Sequence, residues 1–134
     1  MGLDMYLEGR QHFWGHTTME EGYPLKTKTF ELGYWRKHPN LHGYIVSNYA
    51  DEGKDNCEPM LLDQAALIDI MAAVREDRLP HTSGFFFGSS MENQEQRDHD
   101  LAVLTKALFW LQNSSKDDNR TVIYGQLVRG TTHD

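Results

Sequence analysis

The chain has 134 residues, with 13 Lys and Arg against 20 Asp and Glu, for a formal net charge of −7 at neutral pH. That length fits one domain able to bury a single core without staples. One cysteine, Cys57, excludes an internal disulfide and fits a reducing cytoplasm. No apolar run approaches the ~18 residues of a membrane span, so no membrane association is expected, and Met1-Gly2-Leu3-Asp4 does not read as a signal peptide. Charges balance over residues 1–40, so the acidic excess lies in residues 41–134. Such a surface repels a nucleic-acid backbone and favours a basic partner, which ranks nucleic acid low among possible ligands.

Leu3 to Glu8 alternates with period two and predicts a strand, with Leu3, Met5 and Leu7 toward the core and Asp4, Tyr6 and Glu8 on the other face. Residues 9–25 include Phe13 and Trp14 but keep no steady period, which predicts a long loop with room for a short strand. Alternation resumes from Lys26 to Trp35, a second strand antiparallel to the first. Pro39 suits a first helical position after His38, and Leu41, Tyr44, Ile45, Asn48 and Tyr49 then share one stripe. Ala50 to Glu58 reads as an acidic loop, and Cys57 to Leu62 as a short strand that Pro59 confines to an edge.

Asp63 is a good N-cap for a helix carrying Leu67, Ile70, Met71 and Val74, closed by Leu79-Pro80. Phe85-Phe86-Phe87, apolar on both faces, predicts a buried strand. Asn93 with Gln96 matches a capping box opening a third helix, where Leu101, Leu104, Leu108 and Leu111 recur beside Val103, Ala107 and Trp110. A polar turn over 113–119, a strand from Thr121 to Val128 and a tail at 130–134 complete the chain. The expected fold class is α+β: a single domain over residues 1–134, with a mostly antiparallel sheet and about three helices packed on one face.

Asp4, His42 and Cys57 are the candidate catalytic residues. A histidine beside a carboxylate is a workable general base, and a cysteine near a histidine becomes a nucleophilic thiolate. The plainer reading pairs Asp4 with Arg36, bonds His42 to a buried carbonyl and leaves Cys57 as a small hydrophobe. His12 and His16 are four apart but fall in an irregular segment, and Asp98-His99-Asp100 reads as a solvated helix start because adjacent helical side chains diverge. No metal and no cofactor are therefore expected. Candidate binding residues are Trp35, Arg36 and Lys37, with the acids Asp51, Glu52, Asp55 and Glu58. Trp14, Tyr23, Tyr34 and Trp35 could supply an exposed recognition patch. Competing with that, Trp35, Phe85 to Phe87 and Trp110 are the rings a small domain needs inside.

Met1-Gly2-Leu3-Asp4-Met5-Tyr6-Leu7, Tyr34-Trp35-Arg36-Lys37 followed by His42, Asn56-Cys57, Leu79-Pro80 and Ser83-Gly84-Phe85-Phe86-Phe87-Gly88-Ser89 resemble a family of small phage and prophage proteins of unknown function, over roughly residues 1–112. Members of that family are sometimes labelled phosphoglycerate kinase. The chain is far too short for a two-domain kinase and has no Gly-rich loop carrying a Lys and a hydroxyl. The resemblance implies a phage accessory protein in the host cytoplasm. With the one-sided charge, it gives the expectation of a non-enzymatic role: binding a host or defence-system protein through an acidic and aromatic surface, in its sharpest form as an inhibitor of the anti-CRISPR type. A small enzyme built on Asp4, His42 and Cys57 is the alternative, and a self-associating homo-oligomer the third.

Overall fold

The alternation that begins at Leu3 does form a strand, and it runs further than its period suggests. β1 spans Leu3–Phe13. The computed structural model describes residues 3–16, 18–36, 38–50, 59–80, 90–116 and 118–128. A short hairpin, β2 (Met19–Glu20) and β3 (Tyr23–Pro24), follows within the stretch expected as loop. Then come β4 (Thr27–Arg36), α1 (Pro39–Tyr49), β5 (Met60–Leu62), α2 (Gln64–Arg75), α3 (Ser90–Gln112) and β6 (Asp118–Val128). The main sheet is antiparallel with order β4-β1-β6-β5. This is the α+β architecture expected, with β5 on the edge.

The long β1 is explained by its position. Gly9 to His12 are paired on both sides, with Phe30 to Thr27 of β4 and with Val122 to Asn119 of β6. A central strand satisfied at both edges needs no apolar alternation of its own. β6 likewise starts three residues earlier than its apolar run, at Asp118. α3 begins at Ser90, so Asn93 and Gln96 lie inside the helix and do not cap it. α2 ends at Arg75, ahead of Leu79-Pro80. The Phe85 to Phe87 run falls outside the described residues.

Helices cover one face of the sheet. Met5, Leu7, Val122, Tyr124 and Leu62 project from that face into a core closed by Leu41 and Ile45 of α1, Leu67 and Ile70 of α2, and Val103, Leu104 and Ala107 of α3. β4 meets this layer through a bulge. Leu7 pairs with Gly33 and Glu8 with Glu31, leaving Leu32 as the extra residue. Leu32 is buried in the core beside Gly33. Gly33 has to be glycine for α3 to lie where it does, because a side chain there would run into Val103. Further along α3, Trp110 meets Phe30 edge-on at 6.0 Å and lies under the Arg120 guanidinium at 4.9 Å. Arg120 Nη1 also donates to the Trp110 carbonyl at 2.9 Å, which accepts from the Asn113 amide as well, at 3.3 Å, where α3 ends. Among the described residues no helix is long and apolar enough to cross a membrane.

α1 and α2 are clipped together by one carboxylate. Tyr44 and Tyr49 of α1 both donate to Asp69 Oδ2, at 2.9 and 2.6 Å. Burial, then the bond to Asp69, raises both phenols above their ordinary range, while the Tyr49 bond lowers the Asp69 carboxyl. α2 starts as expected, with Asp63 Oδ1 accepting from the Ala66 amide at 2.8 Å. It stops in a Schellman motif: Arg78 N–H bonds Ala73 O at 2.8 Å, and Asp77 N–H bonds Val74 O at 3.3 Å. Asp77 then adopts φ +57°, a left-handed conformation in which glycine carries no Cβ penalty. Asp77→Gly should therefore stabilise the fold by about 0.5–1 kcal/mol in urea titration. The lost pair with Arg97 is long, at 3.7 Å, and exposed, so it offsets little. A lowered unfolding midpoint would contradict this account of the helix end.

Candidate functional site

Two polar or aromatic concentrations stand out, one sealed inside and one projecting from the sheet. The inner one is organised by Asp100 of α3, which is only 2% exposed. Trp35 Nε1 donates to its Oδ1 at 2.7 Å, Gln96 Nε2 donates to the same oxygen at 3.0 Å, and His38 Nε2 meets Oδ2 at 2.9 Å. An ionised carboxylate only accepts, so His38 donates there from Nε2. His38 sits between β4 and α1, whose first residue is Pro39; the carboxylate thus joins the end of β4, the start of α1 and the middle of α3. One helical turn on, His42 Nδ1 shares a 2.7 Å hydrogen bond with the Tyr124 hydroxyl of β6. Asn40 is buried between them in sequence.

Asp100 is thus not part of a solvated helix start. It lies three and four residues before the buried Val103 and Leu104, on the same helical stripe, and that spacing is the signal that could have found it. His38 carries no sequence signal beyond its place before Pro39. A concavity of about 330 Å³ lined by Tyr34, Trp35, Arg36, Glu95, Gln96 and His99 touches this network only through Trp35 and Gln96. The network ties elements together.

The residues singled out for catalysis do not gather around it. Asp4 is buried and stands opposite Arg36 across the β1–β4 ladder, on the face away from Met5 by strand alternation. His42 reaches Tyr124 on the helical face, where its Nδ1 bonds the phenol. Cys57 lies outside the described residues, as do Lys37, Asp51, Glu52, Asp55 and Glu58. Arg36 is exposed, whereas Trp35 is 3% exposed and leaves the surface set, since its indole is spent on Asp100. Among the described residues no group of three His, Cys, Asp or Glu is placed to hold a metal ion.

The projecting feature lies at the far end of the β1–β4 hairpin. Phe13 N–H bonds Lys26 O at 2.9 Å and Leu25 N–H bonds Thr18 O at 2.8 Å, which narrows the chain into β2 and β3. Glu20 pairs with Tyr23, and the two residues between them, Glu21 and Gly22, have φ of +54° and +85°. Two left-handed residues in succession make the tight hairpin turn whose twist matches its strands. This tip carries Trp14 at 53%, Met19 at 55% and Tyr23 at 74% exposure, with Glu20 and Glu21 beside them. Glu20 is 3.7 Å from Lys28, an exposed pair. At the base of the tip, Asp118 accepts from Gln11 Nε2 at 2.6 Å and from the Ser115 amide at 3.0 Å. Those two bonds, the first above all, lower the Asp118 carboxyl below the usual range.

Compared with known proteins, the chain matches no family model, no curated protein and no solved structure.

Asp100→Ala should destabilise the protein by about 2–4 kcal/mol, because it removes the buried acceptor shared by Trp35, His38 and Gln96. Asp98→Ala, two residues away and exposed, should stay within about 0.5 kcal/mol of wild type. Equal effects at both positions would remove the network from the account. Asp118 has its folded-state pKa depressed, so its contribution is full above the unfolded carboxyl value of about 3.9 and is lost as pH falls toward the folded value. Asp118→Asn should accordingly flatten the acid limb of the stability–pH profile and leave its slope near neutrality unchanged.

Proposed function

We propose that the chain is a protein-binding module that engages a host or defence-system protein through the aromatic, acidic tip of the β1–β4 hairpin. The observation that carries this reading is the exposure of Trp14, Met19 and Tyr23 on a turn-locked hairpin, with Glu20 and Glu21 at the same end. Leaving three large apolar side chains in water forgoes burial worth roughly 1.5–3 kcal/mol each, and the core gains nothing from them there. Tryptophan and tyrosine are the residues on which interface energy concentrates, and a short tight hairpin holds them with little entropy left to lose on binding. The net charge of −7 favours a basic face on the partner and speeds encounter with it.

The resemblance of residues 1–112 to small phage proteins supports an accessory role during infection, acting in the host cytoplasm. Block of a defence nuclease or other nucleic-acid-handling machine is the form such a role would take, with acids standing where phosphates bind. The tip, with its two acids, would act mainly through its rings. The remaining acids proposed for this surface, Asp51, Glu52, Asp55 and Glu58, lie outside the described residues.

A photo-reactive phenylalanine at Tyr23, in cells that naturally express the chain, should give one dominant cross-linked partner. The same group at Ile68, exposed on α2, should not. Trp14→Ala should weaken capture of that partner by roughly 30-fold, the equivalent of about 2 kcal/mol. Identical adducts from both positions, or capture indifferent to Trp14, would overturn the assignment.

A further inference from the structure

The face of the sheet opposite the helices carries a groove of about 450 Å³ between β1 and β4. Its side walls are Tyr6 and Tyr34, cross-strand partners, and its floor continues to Glu8 and Glu31, the next pair along the ladder. Two features of the backbone shape it. The bulge at Leu32 places Tyr34 and Glu31 three residues apart yet on the same face, which widens the spacing on β4 relative to Tyr6 and Glu8 on β1. Gly125, the partner of Tyr6 on β6, has no side chain to stand where the Tyr6 phenol lies. The Tyr6 ring therefore leans over β6 and leaves the β4 side open.

The charges in the groove do not balance. Glu8 and Glu31 face each other directly, an arrangement that destabilises a ladder. Arg10 neutralises one of them, its Nε lying 2.7 Å from Glu8 Oε2. Among the described residues no cation lies within ion-pair reach of Glu31. One guanidinium is thus already set against a carboxylate on this face, while among the described residues the neighbouring carboxylate, Glu31, has none.

We propose that this groove receives an arginine side chain from a basic segment of a partner protein, its guanidinium pairing with Glu31 and packing on Tyr34 and Tyr6. A planar guanidinium satisfies both halves of the site, since it stacks on aromatic faces and forks onto a carboxylate, whereas an ammonium ion is more strongly hydrated and does neither as well. The inference rests on the protein-binding reading above only for the partner being a protein. It adds a second contact surface, on the flat of the sheet and away from the hairpin tip.

The probe is Nα-acetyl-arginine amide, followed through the backbone amides of the full chain by NMR titration. The amides of residues 6–8 and 31–34 should shift and saturate with an affinity on the order of 1–10 mM, the range open to a single charged side chain. The citrulline amide, neutral and of the same shape, should leave them still, and the lysine amide should bind several-fold more weakly. Glu31→Gln, on an exposed side chain, should weaken arginine binding by about 10-fold. Asp98→Asn should not change it. Equal shifts with citrulline, equal affinity for lysine, or indifference to Glu31→Gln would each overturn the proposal. A Trp14→Ser/Tyr23→Ser double variant that still binds arginine amide but captures no partner separates failure at the tip from failure here. Loss of arginine binding in that double variant would move the site to the tip and sink the groove.

Discussion

One buried carboxylate decides how this molecule holds together at the start of β1. Asp100 gathers an indole from β4, an imidazole from the entry to α1 and an amide from its own helix. Taking a carboxylate out of water is unfavourable unless its oxygens are satisfied, so the three donors and the charge require one another. A network of this kind resists sliding. Apolar layers tolerate small shifts of one helix over a sheet, but a shift of α3 here would break bonds near 3 Å. The position of α3 fixes in turn where Val103 meets Gly33 and where Trp110 meets Phe30 and Arg120.

With α3 anchored, the two faces of the sheet acquire different characters. The helical face is filled by Met5, Leu7, Val122, Tyr124 and their partners. The other face keeps tyrosines and charges, and β4 serves both because its bulge turns Leu32 and Gly33 inward together. The same irregularity that lets α3 approach closely therefore sets the spacing of Tyr34 and Glu31 on the open side. The hairpin tip beyond Phe13 is held by its own turn and by the Asp118 bonds at its base, so its exposed rings are carried without drawing on the core.

What could be read from the chain alone were the features whose causes are local. Met5 and Leu7 announce a strand face, Asp63 announces a helix start by its short polar side chain, and Pro39 a first helical turn. The extension of β1 from Gly9 to Phe13 depends on partners more than a hundred residues away in β6, and nothing within those residues records it. The bulge at Leu32 depends on pairing register, which alternation in one strand cannot reveal. Asp98-His99-Asp100 reads as a solvated helix start because a charged residue at a helical position usually faces water, but the phase of Asp100 with Val103 and Leu104 points inward, and the phase prevails. Of the two surfaces, Trp14 and Tyr23 could be named from residue type, while the Glu8–Glu31 pairing could be seen only once the strands were in register.

The sheet's order has a consequence for how the chain assembles as it leaves the ribosome. β1 is made before the other strands of this sheet, yet one of its two neighbours, β6, follows all of them, with Leu3 paired to Val128. Until then β1 and β4 can only form a two-stranded ribbon with one whole edge open, a state that is marginal in water and prone to pair with other chains. Closure across so long a separation is slow compared with local helix formation, so the last strand gates the native core. The nascent ribbon is the stage at which this fold is most exposed to misassembly.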